Sequence, residues 1–504
     1  MWKLRSPFLQ RARFSVRHIA IIFVILFAVA NVVLWHDTQF WDAPGLRQAV
    51  GVYKHPIKKL MRDGRTRQEE TLKHHSHDVR EAAARYRTQR GRHPPPGFDR
   101  WFKAALDTKV VVVEDYFDRI YKDLTPYWAL DARTLKKRAS AGNSWLRVPW
   151  LKLWTELVKE FAEHLPHLDI PINYMDESRI LPPFEEVAKL PKWFGHQEQY
   201  WNLAVQCCGP TTPAYGVKQV AELRGPAEFP QNYTPSYAYK GFIQNWTAAM
   251  DPCTQPHIRQ LHGSFIKPIS LSSTQELIPL FGGSKLPINN EILIPSAILG
   301  PSWHHFQRHR LVDMLNGTSV SRVEADGKRA MASELPSADI YPNRRFQDGQ
   351  FGAWLSTFAD AAFVFKLSKP VPMKKQDYYK FLPDVDGNSF SARFRGFLRS
   401  SSVPLKATIY AEWHDDRLVP WLHFIPLDNT FQDIYPTLDF FADGDGPGDV
   451  AARFIAESGK EWAETALRRE DMRLYVWRLL LEWARVCDPN RHTLGFITDL
   501  SNGI

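Results

Sequence analysis

The first strong hydrophobic pattern lies near the N-terminus, where residues 19–35 form an uncharged apolar run of 17 residues. As a helix this run is about 25 Å long at ~1.5 Å per residue, which is adequate for a thin bilayer. Basic residues precede the run and two aspartates follow it, namely Lys3, Arg5, Arg11, Arg13, Arg17, Asp37 and Asp42. The pattern predicts a transmembrane signal anchor at 19–35, a cytosolic tail at 1–18 and a lumenal remainder. A cleaved signal peptide is the alternative, because Ala28-Val29-Ala30 has the small residues of a cleavage site.

Polar residues dominate from 36 to 91, with a helical pattern at 69–89. A charge-rich segment of this kind is typical of a solvated helix face, so we interpret it as a stem. The stem ends before the prolines at 94–96, which cannot continue a helix.

Three later stretches predict the elements of the globular part. Residues 168–174 have the pattern of a buried strand. Residues 381–385 predict another strand, followed by a turn, a short amphipathic helix that carries Phe394, Phe397 and Leu398, and a strand at 407–410. Residues 450–486 have one apolar stripe at helical spacing and are predicted to be helical throughout.

The length and the net charge of the chain limit the number of domains and the classes of partner that are expected. A chain of 504 residues with 44% hydrophobic content is ample for two buried cores, so two domains are expected. The formal net charge is +9, but the first 100 residues hold 19 Lys and Arg against 8 Asp and Glu. The globular part is therefore slightly acidic, which argues against a nucleic-acid groove.

An acidic residue, Asp176, follows the predicted strand at 168–174. In an open α/β sheet the carboxyl end of a strand faces the ligand crevice, where a general base would lie. A turn or a helix cap is the structural alternative for an aspartate in this position.

A second candidate site follows the strand at 381–385. Ser389, Ser391 and Arg393 lie where the short helix is predicted to begin. Small polar residues at a helix N-terminus allow backbone N–H groups to approach a phosphate, and an arginine adds a charge-assisted contact. The alternative is an ordinary strand–turn–helix with a solvated arginine.

The segments around this loop share motifs with one family. The motifs are Pro94-Pro95-Pro96-Gly97-Phe98-Asp99-x-Trp101, Asp123-Leu124-x-Pro126-x-Trp128, Tyr379-Lys380-Phe381, Asp386-Gly387, Ser391-x-Arg393-Phe394, Glu412-Trp413 and Pro420-Trp421-x-His423-x-Ile425-Pro426. They resemble the signature of the Rumi-type protein O-glucosyltransferases and of their fungal capsule-associated xylosyltransferase-like relatives, in glycosyltransferase family 90.

The resemblance implies a GT-B-like α/β fold, with two Rossmann-like domains facing a cleft, an N-terminal transmembrane helix and a helical C-terminus. The domains would be a cytosolic tail at 1–18, an anchor at 19–35, a stem at 36–91, an acceptor-side domain at 92–296, a nucleotide-sugar domain at 297–450 and C-terminal helices at 451–490 that cross back to the first domain.

The resemblance also implies an activity. The enzyme would transfer a xylose- or glucose-class sugar from a UDP-sugar to a glycan or protein hydroxyl with inversion, in the Golgi or endoplasmic reticulum membrane. The pattern Ile172-Asn173-x-x-Asp176 matches the family's catalytic aspartate, which makes Asp176 the expected base. Ser389, Ser391 and Arg393 would bind the donor. No cofactor and no nucleic-acid partner are expected.

Asp384-Val385-Asp386 has the D-x-D form that metal-dependent transferases use, and two carboxylates on one strand face make a divalent cation the alternative interpretation. The family pattern is of the metal-independent type, so no metal site is predicted. The histidines 304, 305 and 309 are interpreted as a helix face.

A lumenal location predicts two covalent modifications. Asn245 is the best of three Asn-x-Ser/Thr sequons for glycosylation in a lumenal protein. One disulfide is expected between Cys207 or Cys208 and Cys253 in an oxidising lumen, and the sequence does not fix the pairing.

The chain departs from the family near 297–303, where a segment with a phosphate-binding arginine is expected and Ala297-Ile298-Leu299-Gly300-Pro301-Ser302 stands instead. Either the gene model lost an exon or part of the phosphate clamp is missing. A catalytically impaired member or a non-catalytic lumenal binding protein is therefore the alternative function. A hydrolase is a weaker alternative, because the sequence shows no pair of carboxylates in a context suited to glycoside cleavage.

Overall fold

The computed structural model describes residues 55–141, 148–173, 178–183, 199–221, 235–266, 273–295, 373–387, 389–442, 444 and 446–501. The chain divides into two units, Met1–His55 and Pro56–Ile504, and every element below belongs to the second. The predicted tail at 1–18, the anchor at 19–35 and the departure near 297–303 lie outside the described residues.

Most of the regular secondary structure in the described ranges is α-helical. They are α1 (Pro56–Leu72), α2 (Val79–Arg90), α3 (Phe98–Asp107), α4 (Asp118–Leu124), α5 (Ala132–Ala141), α6 (Val148–Lys159), α7 (Tyr200–Val205), α8 (Trp246–Met250), α9 (Gly263–Ile266), α10 (Met373–Gln376), α11 (Phe394–Leu398), α12 (Ile434–Phe441), α13 (Pro447–Ala466), α14 (Arg469–Val486) and α15 (Thr498–Ser501).

The strands are short. They are β1 (Ala238–Tyr239), β2 (Phe242–Ile243), β3 (Phe281–Gly282), β4 (Ile292–Leu293), β5 (Phe381–Val385), β6 (Val403–Ala407) and β7 (Ile425–Pro426). The β1–β2 pair is antiparallel and β3–β4 is parallel, while β5, β6 and β7 form a parallel sheet in that order.

This architecture corrects the predicted fold class. Two Rossmann-like domains facing a cleft would need two larger parallel sheets, whereas the described strands form sheets of two and three strands. In the described part of the predicted strand, residues 168–173, Ile172 forms an isolated parallel β-bridge with Phe281. The prediction of a GT-B-like fold is therefore wrong, and the described part is a mixed α/β arrangement of helices around small sheets.

The transmembrane helix of the fold prediction falls on residues 19–35, which lie outside the described residues. Within the described ranges, no helix combines the length and the apolar character that crossing a bilayer requires.

The C-terminal region is helical, as its pattern predicts, but it breaks into two helices. The helix α13 ends at Ala466, and α14 begins at Arg469. The break is stabilised by a cap, because the Arg468 backbone N–H donates to Asp471 Oδ2 at 2.8 Å. This bond satisfies a backbone donor that the start of the new helix would otherwise leave unpaired.

The helix α14 lies in the main hydrophobic core and is buried along most of its length. Trp101 in α3 donates its indole N–H to the carbonyl of Leu474 at 2.9 Å. Tyr86 in α2 and Tyr121 in α4 each donate to Glu482 Oε1 at 2.9 Å. The helix α14 is thus hydrogen-bonded to α2, α3 and α4, which lie near the beginning of the unit.

Candidate functional site

The parallel sheet β5–β6–β7 places several polar residues at one edge. Val385 at the end of β5 pairs in register with Ala407 at the end of β6. The residues that follow these two strands, Asp386 and Thr408, therefore lie at the same carboxyl edge. This edge is where open parallel sheets bind ligands.

Asp384 and Lys406 form a buried ion pair between β5 and β6. Lys406 Nζ lies 2.9 Å from Asp384 Oδ2, 3.7 Å from Glu412 Oε1 and 3.8 Å from the centre of the Phe394 ring. Burial alone lowers the pKa of Lys406, but Asp384 and then Glu412 outweigh it and raise the pKa above its ordinary value. The lysine is therefore a fixed positive charge beneath the loop that follows β5.

The residues predicted to bind a phosphate, Ser389, Ser391 and Arg393, lie in a loop that is hydrogen-bonded to this ion pair. The Ser391 hydroxyl donates to Asp384 Oδ1 at 2.5 Å, so it is engaged inside the protein. Arg393 donates from Nε to Ser391 Oγ at 3.2 Å and from Nη2 to the Val385 carbonyl at 3.4 Å. Ser389 is buried, and its carbonyl accepts from the Gly387 N–H at 2.8 Å, which closes the loop.

The structure therefore brings Ser389, Ser391 and Arg393 together. Burial lowers the pKa of Arg393, and the nearby Asp384 opposes that shift. The two hydrogen bonds of the guanidinium are long, and among the described residues its other donors have no hydrogen-bond partner. Such a group can receive a phosphate oxygen without breaking a strong internal contact.

Asp386 lies at the same edge of the sheet and accepts hydrogen bonds from the chain that follows β6. Its Oδ1 accepts from Thr408 Oγ1 at 2.5 Å, and its Oδ2 accepts from the Ile409 N–H at 2.8 Å. His262 Nε2 lies 3.1 Å from the same Oδ2. No local pattern in the sequence could have indicated His262, because it lies 124 residues before its partner.

The two carboxylates of the D-x-D sequence thus have separate protein partners. Asp384 is paired with Lys406 and Ser391, and Asp386 with Thr408, Ile409 and His262. Across the ranges that the structure describes, no group of three or more His, Cys, Asp or Glu side chains has the geometry to hold a metal ion.

A second cluster of charges adjoins Lys406 through Glu412. His414 Nε2 is 3.4 Å from Glu412 Oε2, and His414 Nδ1 is 3.4 Å from Asp415 Oδ1. Burial alone lowers the pKa of His414, but the carboxylates outweigh it, Glu412 foremost, and raise the pKa to about 9. The sequence indicated Glu412 as a motif position, but it did not show that a buried imidazolium lies beside it.

Asp176 lies outside the described residues, and only the chain on either side of it can be placed. The Asn173 N–H donates to the Phe281 carbonyl at 2.7 Å. On the other side, Glu291 Oε1 accepts from the backbone N–H groups of Arg179 and Ile180. Burial raises the pKa of Glu291 to about 7, against the effect of these donors.

The structure joins Cys208 to Cys253, which is one of the two pairings that the sequence left open. Cys207 carries a half-buried free thiol, and burial raises its pKa. Asn245 is exposed and caps α8, where its side-chain oxygen accepts from the Ala248 N–H at 3.2 Å. This cap uses Oδ1 and leaves the amide nitrogen, to which an N-linked glycan attaches, on the surface.

Comparison with known proteins places this site in a class. Residues 349–493 match the family model described as Glycosyl transferase family 90, and this stretch includes β5, β6, the loop between them and α14. The match spans 145 of the 504 residues, and for this part of the chain it confirms the resemblance inferred from the motifs.

Individual relatives agree with this assignment over a limited part of the chain. The chain is 34% identical over 107 residues to O-glucosyltransferase rumi of Drosophila pseudoobscura pseudoobscura, covering 21% of this chain and 25% of that protein. It is 30% identical over 124 residues to protein O-glucosyltransferase 1 of Homo sapiens, covering 24% and 31%. For protein O-glucosyltransferase 2 of Danio rerio the identity is 29% over 109 residues, or 21% of each chain. The chain thus spans less than a third of the length of the relatives it matches.

Proposed function

We propose that this protein is a glycosyltransferase that transfers a glucose- or xylose-class sugar from a UDP-sugar to a hydroxyl group of a protein or glycan, with inversion. The observation that carries the proposal is the family match over 349–493, because that stretch contains the whole network of Asp384, Ser391, Arg393 and Lys406. The relatives are named as O-glucosyltransferases, which supports a sugar donor and a hydroxyl acceptor.

In this proposal Arg393 binds the diphosphate of the donor. A guanidinium offers several N–H donors in one plane, so it can hold two phosphate oxygens at once. Ser389 and Ser391 shape the loop, while Lys406 holds Asp384 and so fixes the position of Ser391. The neutralised pair beneath the loop keeps the Asp384 charge from repelling the phosphate.

Asp176 is the proposed general base, on the strength of its sequence pattern. It would take the proton from the acceptor hydroxyl while that oxygen forms a bond to the anomeric carbon. The bond between the anomeric carbon and the diphosphate oxygen breaks in the same step, and UDP leaves with the electron pair. A single displacement of this kind inverts the anomeric configuration.

We also propose that the catalytic part lies in the lumen of the endoplasmic reticulum or Golgi. The Cys208–Cys253 disulfide supports this location, because such bonds persist in oxidising compartments. An Asn245→Gln variant should then migrate faster on a denaturing gel than the wild type, and endoglycosidase treatment should abolish the difference. Identical migration of the two untreated proteins would contradict a glycan at Asn245.

The central test is donor binding and transfer by the full chain. We expect calorimetric titration to show UDP binding and a glycosyl transfer assay to show turnover with UDP-glucose or UDP-xylose. Arg393→Ala should weaken UDP binding by roughly ten- to a hundredfold, since it removes a charge-assisted contact worth about 1.5–3 kcal/mol.

Arg399→Ala is the matched control. Arg399 is an exposed arginine at the C-terminal end of α11, and its removal should leave UDP binding unchanged. Equal weakening in both variants would show that the diphosphate is bound elsewhere. Binding without any transfer would favour a non-catalytic binding protein, and absence of binding to the wild type would exclude the proposed function.

A further inference from the structure

We propose that His262 is a positioning residue for the donor loop, which we define as residues 387 and 389–393, and that it acts through Asp386. The proposal deepens the proposed function, because it assigns a role in donor binding to a segment that lies outside the family match at 349–493. It rests on a set of buried hydrogen bonds between residues 262–264 and the carboxyl edge of the parallel sheet.

The hydrogen bonds of His262 define its tautomer. The Ser264 backbone N–H donates to His262 Nδ1 at 3.2 Å, so Nδ1 carries a lone pair and no proton. Nε2 must then carry the proton, and it donates to Asp386 Oδ2 at 3.1 Å. The ring is 1% exposed, and both of its nitrogen atoms are oriented by fixed partners.

Asp386 receives hydrogen bonds from two directions. Thr408 and Ile409 donate from the end of β6, and His262 donates from the segment before α9. The β6 side holds both carboxylate oxygens, and His262 adds a third contact from a different segment. The position of residue 386 is therefore tied to the 262–264 segment as well as to β6.

The donor loop begins at the next residue. The Gly387 N–H donates to the Ser389 carbonyl, which fixes the first turn of the loop relative to Asp386. Gly263 lies against the same turn, since a Cβ atom there would be 3.7 Å from the Gly387 carbonyl oxygen. The 262–264 segment therefore contacts the residue before the loop through the His262 side chain, and it contacts the loop itself through a close backbone approach at Gly263.

A second contact of this segment supplies a matched control. Ser264 Oγ and the Tyr410 hydroxyl are 2.8 Å apart and are fully buried. This hydrogen bond joins the same segment to the chain after β6, but it does not involve Asp386. Its loss should weaken the packing of the segment without releasing the donor loop.

The experiment compares three variants of the full chain: His262→Phe, His262→Gln and Tyr410→Phe. The phenylalanine variant keeps a planar ring and removes the donor to Asp386, so KM for the sugar donor should rise about tenfold with kcat little changed. A glutamine side chain can place an N–H donor near the position of Nε2, so His262→Gln should restore most of the wild-type KM. Tyr410→Phe should lower the melting temperature and leave the donor KM unchanged.

Two further readouts do not depend on activity. Amide hydrogen exchange of residues 386–393 should be faster in His262→Phe than in Tyr410→Phe, because only the former releases Asp386. Nitrogen-15 spectra of the wild-type imidazole should show a protonated Nε2 and an unprotonated Nδ1. Equal exchange in the two variants, or a protonated Nδ1, would overturn the proposal even if the protein binds UDP. A wild type that fails to bind UDP would instead overturn the proposed function and leave the exchange comparison to decide the role of His262.

Discussion

Replacement of Lys406 by methionine should lower the free energy of unfolding by about 3–5 kcal/mol. The side chains of Lys406, Asp384 and Glu412 are all 5% exposed or less, so removal of the ammonium group leaves two carboxylates buried without their shared counter-charge. Methionine preserves most of the volume and the contact with the Phe394 ring, which limits the loss to the charge. Chemical denaturation at neutral pH measures the difference.

Lys380→Met is the control for this prediction. Lys380 immediately precedes β5 and pairs with Asp449, but the two side chains are 37% and 21% exposed. A solvated pair of this kind is worth about 0–1 kcal/mol, so the same substitution should have a small effect there. The double variant Lys406→Met with Asp384→Asn should recover part of the lost stability. Failure of the double variant to recover any would mean that the two groups are not coupled.

Stability should also fall as the pH rises from about 6.5 to about 9, because of His414. Its pKa is raised to about 9 in the folded chain, against 6.5 for an unperturbed histidine. A raised pKa means that the folded state binds the proton more tightly, so the stabilisation is complete below about 6.5 and is lost as the pH rises through 9. The difference corresponds to about 3 kcal/mol at most.

In His414→Gln the loss between about pH 7 and 9 should largely disappear, while Glu291, whose pKa is raised by burial to about 7, still contributes a loss below that range. His423 gives a comparison of opposite sign, because burial lowers its pKa to about 3 and its effect is a loss of stability as the pH falls from about 6.5. The alkaline loss should therefore persist in His423→Gln. An unchanged pH profile in His414→Gln would show that its imidazole is not charged in the folded protein.

The sequence predicted the local part of the site better than the distant part. Ser391 and Arg393 are two residues apart, and their shared loop follows from a strand, a turn and a helix that are all short-range patterns. Their supports come from elsewhere, since Lys406 is 22 residues from Asp384 and His262 is 124 residues from Asp386. Pairings at such separations are set by tertiary packing, which a single sequence does not encode as a pattern.

The errors in the fold have equally physical causes. The strand predicted at 407–410 lies instead at Val403–Ala407. The Ile409 N–H donates to Asp386 and is not used in the ladder. The strands β3 and β4 have two residues each, which is too short for alternation to reveal them. The two-domain architecture was carried over from the family as a whole, and a shared site does not fix the arrangement of every sheet around it.

The burial of α14 has a consequence for how this protein is made. The hydrogen bond from Trp101 to Leu474 joins residues 373 positions apart, so the first helices of the unit lack their contacts with α14 until the ribosome has nearly finished the chain. Until then their aromatic faces are exposed to other nascent chains and to chaperones, as is usual for long-range contacts. A premature stop codon before α14 would therefore leave a long polypeptide without its central helix, and quality control, more than loss of catalysis, would decide its fate.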